Sequence, residues 1–154
     1  AIFLNLGAAS AHNQTDSGGS SQPLPAFSEL IRVGKQQFHL RNMAPSTTVE
    51  HLPVVVLLAG PNQNFHADSA WFALLQPLLA KKYQVVAIDR LGNGFSDNAD
   101  DLSYRRFSED LAKLLPLVTR KPVILVSFAS ASISARLLQQ KQDKFTKDAL
   151  QISG

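Results

Sequence analysis

The chain has 154 residues, 45% of them hydrophobic and 18% charged, a length and balance that suit one globular domain with a single core. Its formal charge of +3 is spread thinly, with basic runs no longer than the pairs Lys81-Lys82 and Arg105-Arg106, so the clustered stripe of a nucleic-acid interface is missing. Without cysteine there is no disulfide, thiolate nucleophile or cysteine–zinc site, and the four histidines (His12, His39, His51, His66) lack metal-ligand spacing, so neither a metal nor another cofactor is expected.

Residues 1–11 read AIFLNLGAASA, apolar and ending in small residues, and Ala9-Ser10-Ala11 has the A-x-A form of a signal-peptidase site. Read as a signal-peptide remnant, the segment implies a periplasmic or secreted protein. Read as an apolar segment packed on the domain, it leaves the protein cytoplasmic. It is shorter than the ~20 apolar residues a bilayer requires, so no integral membrane span is expected. Residues 12–26 are polar and rich in glycine, serine and proline, which predicts a flexible linker before a domain over 27–154.

Phe27 to Val33 and Gln36 to Arg41 are two extended runs separated by Gly34-Lys35, the pattern of a hairpin. Pro45 to Pro53 is a loop. Val54 to Leu58 (VVVLL), Gln84 to Ile88 (QVVAI) and Val123 to Val126 (VILV) are apolar, β-branched runs that suit parallel strands buried on both faces. Between them, Trp71, Leu74, Leu75, Leu78 and Leu79 recur at helical spacing after Asp68 or Ser69 as N-cap, with Pro77 expected to kink or split the helix. Phe107, Leu111, Leu114, Leu115 and Val118 form a second helical stripe with Ser103 as its cap, and Ser132 to Gln142 a third helix. Gln151 to Gly154 reads as the start of another strand. The alternation predicts an α/β fold, a mostly parallel sheet with crossover helices.

Ligands of such sheets bind beyond the carboxyl ends of the strands. Three loops lie there. The first, Ala59 to Asn64, contains Gly60, where the backbone can approach a ligand closely. The second, Asp89 to Asp97, holds Gly92 and Gly94 in a tight turn, with Asp89 and Asp97 placed to accept backbone N–H bonds. The third, Ser127 to Ser132, is a run of small residues suited to a sharp strand-to-helix turn.

These features together resemble the α/β-hydrolase superfamily of esterases, lipases and epoxide hydrolases, over its N-terminal portion. D-R-L-G-N-G-F-S-D (Asp89 to Asp97) is similar to the family's D-x-R-G-x-G-x-S-D loop. The hairpin, VVVLLAG, the helix with early Trp71, and K-P-V-I-L-V before the turn follow the family order across Phe27 to Gly154. The resemblance implies a G-x-S-x-G elbow after VILV, with an exposed nucleophile.

Here Ser127 stands at the first glycine of that elbow, Ala129 at the nucleophile and Ala131 at the second glycine. Natural loss of the nucleophile, a deliberate serine-to-alanine change, and a one-residue shift presenting Ser130 or Ser132 all remain open, with a turn or cap role as the plainer reading of Ser130. The resemblance implies oxyanion donors at Ser130 and after Ala59-Gly60, where Pro61 has no N–H, leaving Asn62 or Gln63 as substitutes. The family's acid and histidine follow the elbow. Only 25 residues follow Ala129 and none is histidine, so the domain is expected to be incomplete at its C-terminus. The implied function is that of an ester-type serine hydrolase, inactive as this chain. The alternative is a non-catalytic member that binds a small apolar or ester-type molecule, or a partner. Self-association through an open sheet edge is a third expectation.

Overall fold

A computed structural model describes residues 23–47, 50–61 and 66–152, with side chains described through Asp143. The apolar segment 1–11 and most of the linker 12–26 lie outside the described residues.

Strands β1 (Ser28–Val33) and β2 (Gln36–Met43) form an antiparallel hairpin in which Val33 pairs with Gln36. Gly34, at φ 64°, supplies the left-handed turn residue that this short connection requires. Strand β2 then pairs antiparallel with β4 (Val85–Ile88). Beyond the hairpin the sheet is parallel: β4 pairs with β3 (Val54–Ala59), and β3 pairs with β5 (Val123–Phe128), giving the order β1-β2-β4-β3-β5. The mostly parallel α/β architecture expected from the apolar runs is the one observed.

Both faces of β3 and β4 are covered, which is why their sequences are continuously apolar rather than alternating. One face carries Phe38, Leu40, Val54, Val56, Leu58, Val86 and Ile88. These pack against Leu111 and Leu114 of α2 (Tyr104–Val118) and Leu138 of α3 (Ala131–Ile152). The opposite face carries Val55, Leu57, Val85 and Ala87 against Phe72 and Ala80. Each fully buried leucine or valine contributes about 1.5–3 kcal/mol. Ser103 caps α2 as expected, its side chain accepting a hydrogen bond from the Arg106 amide.

The helix carrying Trp71 is split, as Pro77 led one to expect, into a 3-10 turn (Asp68–Phe72) and a short α1 (Leu75–Leu79), while two other expectations are corrected. The break falls at Ala73-Leu74, because Pro77 has no N–H to reach the Ala73 carbonyl four residues back. Neither Asp68 nor Ser69 caps this segment. Ala67 occupies the cap position without a side-chain bond, and the Asp68 carboxylate is taken by Arg90 instead.

Finally, Gln151 and Ile152 continue α3 rather than opening a strand. No glycine or proline interrupts Ala131 to Ile152, and alanine, leucine, glutamine, lysine and arginine favour the helix. The open edge therefore belongs to β5, which among the described residues pairs only with β3. No helix among the described residues is long and apolar enough to cross a membrane.

Candidate functional site

The chain leaves β5 and enters α3 through Phe128, Ala129 and Ser130. Ala129 has φ 54°, a left-handed conformation that a non-glycine residue adopts only when its surroundings enforce it. The enforcement comes from both sides. The Gly60 amide donates to the Phe128 carbonyl at 3.1 Å, tying the end of β3 to the end of β5. On the helix side, the Ile133 amide bonds the Ser130 carbonyl at 3.1 Å and starts the first turn. Ala129 therefore projects its methyl group, exposed, from the apex of the turn.

Gly60 is packed against this apex. A Cβ added there would collide with Ser130 Oγ and lie 3.0 Å from the Ser130 nitrogen and 3.1 Å from that of Ala131. Only glycine lets the two loops close on one another. The ring of Phe128 meets that of Trp71 with centroids 5.0 Å apart, so an aromatic pair stands beside the apex. A groove of about 640 Å³ runs lower down, between β5 and α3, lined by Val123, Leu125, Ser127, Ala135, Arg136 and Gln139 among others. It lies along the open sheet edge rather than over the turn.

The loop after β4 is organised around Asp89, which is fully buried. Its Oδ1 accepts the Ser69 amide at 2.6 Å and its Oδ2 the Nδ1–H of His39 at 2.7 Å. His39 Nε2 meets Ser28 Oγ, also at 2.7 Å. Ser96 Oγ accepts the His39 amide and donates to the Asp89 carbonyl. Asp97 receives the Gln37 amide on its carboxylate, and its own amide donates to the Gln37 carbonyl. Gly92 and Gly94 have φ 75° and 57°, the left-handed values this loop needs. Alongside, Arg90 chelates Asp68 through Nε at 2.7 Å and Nη2 at 2.9 Å. Burial pushes the Asp68 carboxyl above its ordinary range, and the hydrogen bond and charge of Arg90 oppose that shift only in part.

Residues 55–140, more than half of the chain, match the model of a family described as the alpha/beta hydrolase family. The chain belongs to that family. Solved structures agree with this α/β-hydrolase assignment. The thioesterase domain from the curacin biosynthetic pathway is 26% identical, with a TM-score of 0.53 over 66% of this chain and 36% of that one. Wild-type Cfl2 from Burkholderia cenocepacia is 23% identical, with a TM-score of 0.58 over 72% and 35%. E-2-(acetamidomethylene)succinate hydrolase is 21% identical, with a TM-score of 0.58 over 70% and 37%. The chain thus spans a little over a third of the length of these α/β-hydrolase structures. No curated protein matches it in sequence.

Of the α/β-hydrolase positions singled out from sequence, Gly60, Ala129 and Ser130 meet at the ends of β3 and β5, with Pro61 exposed beside them. Asn62 lies outside the described residues. Asp89, Gly92, Gly94 and Asp97 form one loop, and its hydrogen bonds run to the β1–β2 hairpin and the 3-10 turn. Among the described residues no group of three or more histidine and carboxylate side chains is arranged to hold a metal. The reading from sequence missed the partnership of Ser28 and His39 with Asp89. The signal was present: a short turn at Gly34-Lys35 fixes the hairpin register, which places Ser28 and His39 on one face of the sheet.

Proposed function

We propose that the strand-end cleft of this α/β-hydrolase chain binds a small apolar or ester-type molecule without turning it over through an elbow serine. The observation that carries this reading is Ala129, held at φ 54° on the apex of the β5–α3 turn with a methyl group where the family presents its attacking atom. The surrounding apparatus is consistent with binding. Gly60 and Ser130 keep the turn compact, and Trp71 and Phe128 offer an aromatic wall. Catalysis is poorly supplied at the oxyanion position, to which Pro61 brings no N–H.

The test uses the full chain. Trp71 is the sole tryptophan, so its emission reports the cleft. A short-chain ester such as ethyl butyrate is expected to quench it saturably, with the quench lost in Phe128→Ala. A fluorophosphonate probe followed by peptide mapping is expected to leave Ser130 unmodified. A fluorophosphonate adduct on Ser130 would overturn the reading, and so would a ligand that leaves Trp71 unmoved.

A second reading rests on β5. Its face alternates, leaving Ile124, Val126 and Phe128 exposed on an edge strand with β3 on one side only among the described residues. Such an edge is a template for pairing with a second copy.

A further inference from the structure

The chain of contacts under the hairpin has the hydrogen-bond order of a nucleophile, a base and an orienting acid. Asp89 Oδ2 accepts from His39 Nδ1 at 2.7 Å, which fixes the tautomer and leaves the Nε2 lone pair facing Ser28 Oγ at 2.7 Å. Both oxygens of Asp89 are engaged, the second by the Ser69 amide at 2.6 Å, so the carboxylate is locked in place. Asp89 and His39 are buried, whereas Ser28, on the outermost strand, is half-exposed. We propose that Ser28 is a reactive nucleophile, with His39 as its base and Asp89 as the positioning residue, in a site separate from the β5–α3 turn.

Two further features fit this site. Arg41 is the register partner of Ser28 across the hairpin, so their side chains share a face. The Arg41 Nε–H is buried with no hydrogen-bond partner among the described residues. A donor in that condition is costly unless something accepts from it. An oxyanion forming on an acyl group bound to Ser28 would supply the acceptor, in the manner of an oxyanion hole. Around the hydroxyl the surface is apolar. Leu30, opposite His39 on the same face, and Phe27, adjacent to Ser28, are both exposed, and the Phe95 ring lies 5.1 Å from the imidazole. This shelf suits a short apolar acyl chain, and the substrate class is small activated carboxylic esters.

In the reaction, Ser28 Oγ forms a bond to the acyl carbon and its proton passes to His39 Nε2. The bond from carbon to the leaving oxygen then breaks, and that oxygen takes the proton from His39. The product is an ester on Ser28 and a free alcohol. Since His39 is only 1% exposed, water reaches it poorly, and the acyl group is retained rather than turned over.

The experiment treats the full chain with p-nitrophenyl acetate and, separately, with a fluorophosphonate, then maps the adduct by peptide mass spectrometry. Expected results are a burst of no more than one equivalent of p-nitrophenolate and one adduct, on Ser28. Ser28→Ala abolishes both. His39→Gln slows labelling about 100-fold or more, the contribution typical of a general base. Arg41→Met slows it while leaving the circular dichroism spectrum unchanged. If wild-type protein acquires no adduct on Ser28, or Ser28→Ala retains the full burst, the proposal fails; both tests stand even if His39→Gln does not fold. An adduct on Ser130 would instead count against the cleft reading, so the two failures are told apart by the labelled peptide.

Discussion

For an L-residue the left-handed backbone costs roughly 1–2 kcal/mol relative to the right-handed one, and Ala129 carries that cost at φ 54°. Glycine bears little of it. Ala129→Gly is therefore expected to stabilise the protein by about 1 kcal/mol, read as a higher urea midpoint with an unchanged slope. A lower midpoint would mean that the methyl group makes contacts worth more than the strain it causes. The second residue-scale effect is electrostatic. Burial raises the Asp68 carboxyl above its ordinary value despite Arg90, so the folded state holds this proton more tightly than the unfolded chain does. The resulting stabilisation is complete below the unfolded-state value and is lost as the pH rises through the folded-state value. Wild-type protein should accordingly gain stability relative to Asp68→Asn when the pH falls from about 7 to about 4, as measured by urea unfolding at each pH. A difference independent of pH would show that Arg90 cancels the effect of burial.

At the scale of elements, most of the framework was legible because the apolar pattern reports burial directly. VVVLL reads as a strand buried on both faces and is one, VILV is a strand too but is covered on one face only rather than on both as its apolar run suggested, and the Ser103 cap announced α2. Gln151 was misread although the helix propensity before it was local, whereas the other failures come from partners distant in sequence that override local signals. Asp68 looked like a cap, but Arg90, 22 residues away, holds its carboxylate. The hairpin register brings Ser28 and His39 together, but Asp89 joins them from 50 residues beyond His39, and no local spacing advertises that. The edge strand β5 has a consequence of its own. With Ile124, Val126 and Phe128 exposed, the chain should self-associate as its concentration rises, and Val126→Lys, which puts a charge on that face, should shift the gel-filtration profile toward monomer. Identical elution of the two proteins at every concentration would exclude β5 as the contact.

Across the whole molecule, the apex at Ala129 and the histidine best placed for proton transfer belong to different assemblies. His39 directs one nitrogen at Asp89 and the other at Ser28, with both contacts at 2.7 Å. Its ring has no nitrogen left for the β5–α3 turn, which lies at the ends of the parallel strands on the far side of β4 from the hairpin. Placing a hydroxyl at the apex therefore supplies an attacking atom that His39 cannot serve as base, and the oxyanion position beside it still has Pro61 in place of a donor. A missing general base reduces rate by about 10²–10⁴ and a missing oxyanion donor by about 10²–10³, so together they leave little reactivity to a restored serine. Ala129→Ser is expected to fold, and to show no more fluorophosphonate labelling at position 129 than a denatured control. Rapid stoichiometric labelling there would mean that a base reaches the apex from some other part of the chain. His66 would be the first candidate, since its carbonyl already holds the Gly94 amide at 2.6 Å beside the same strand ends; labelling that disappeared in the His66→Ala background would identify it.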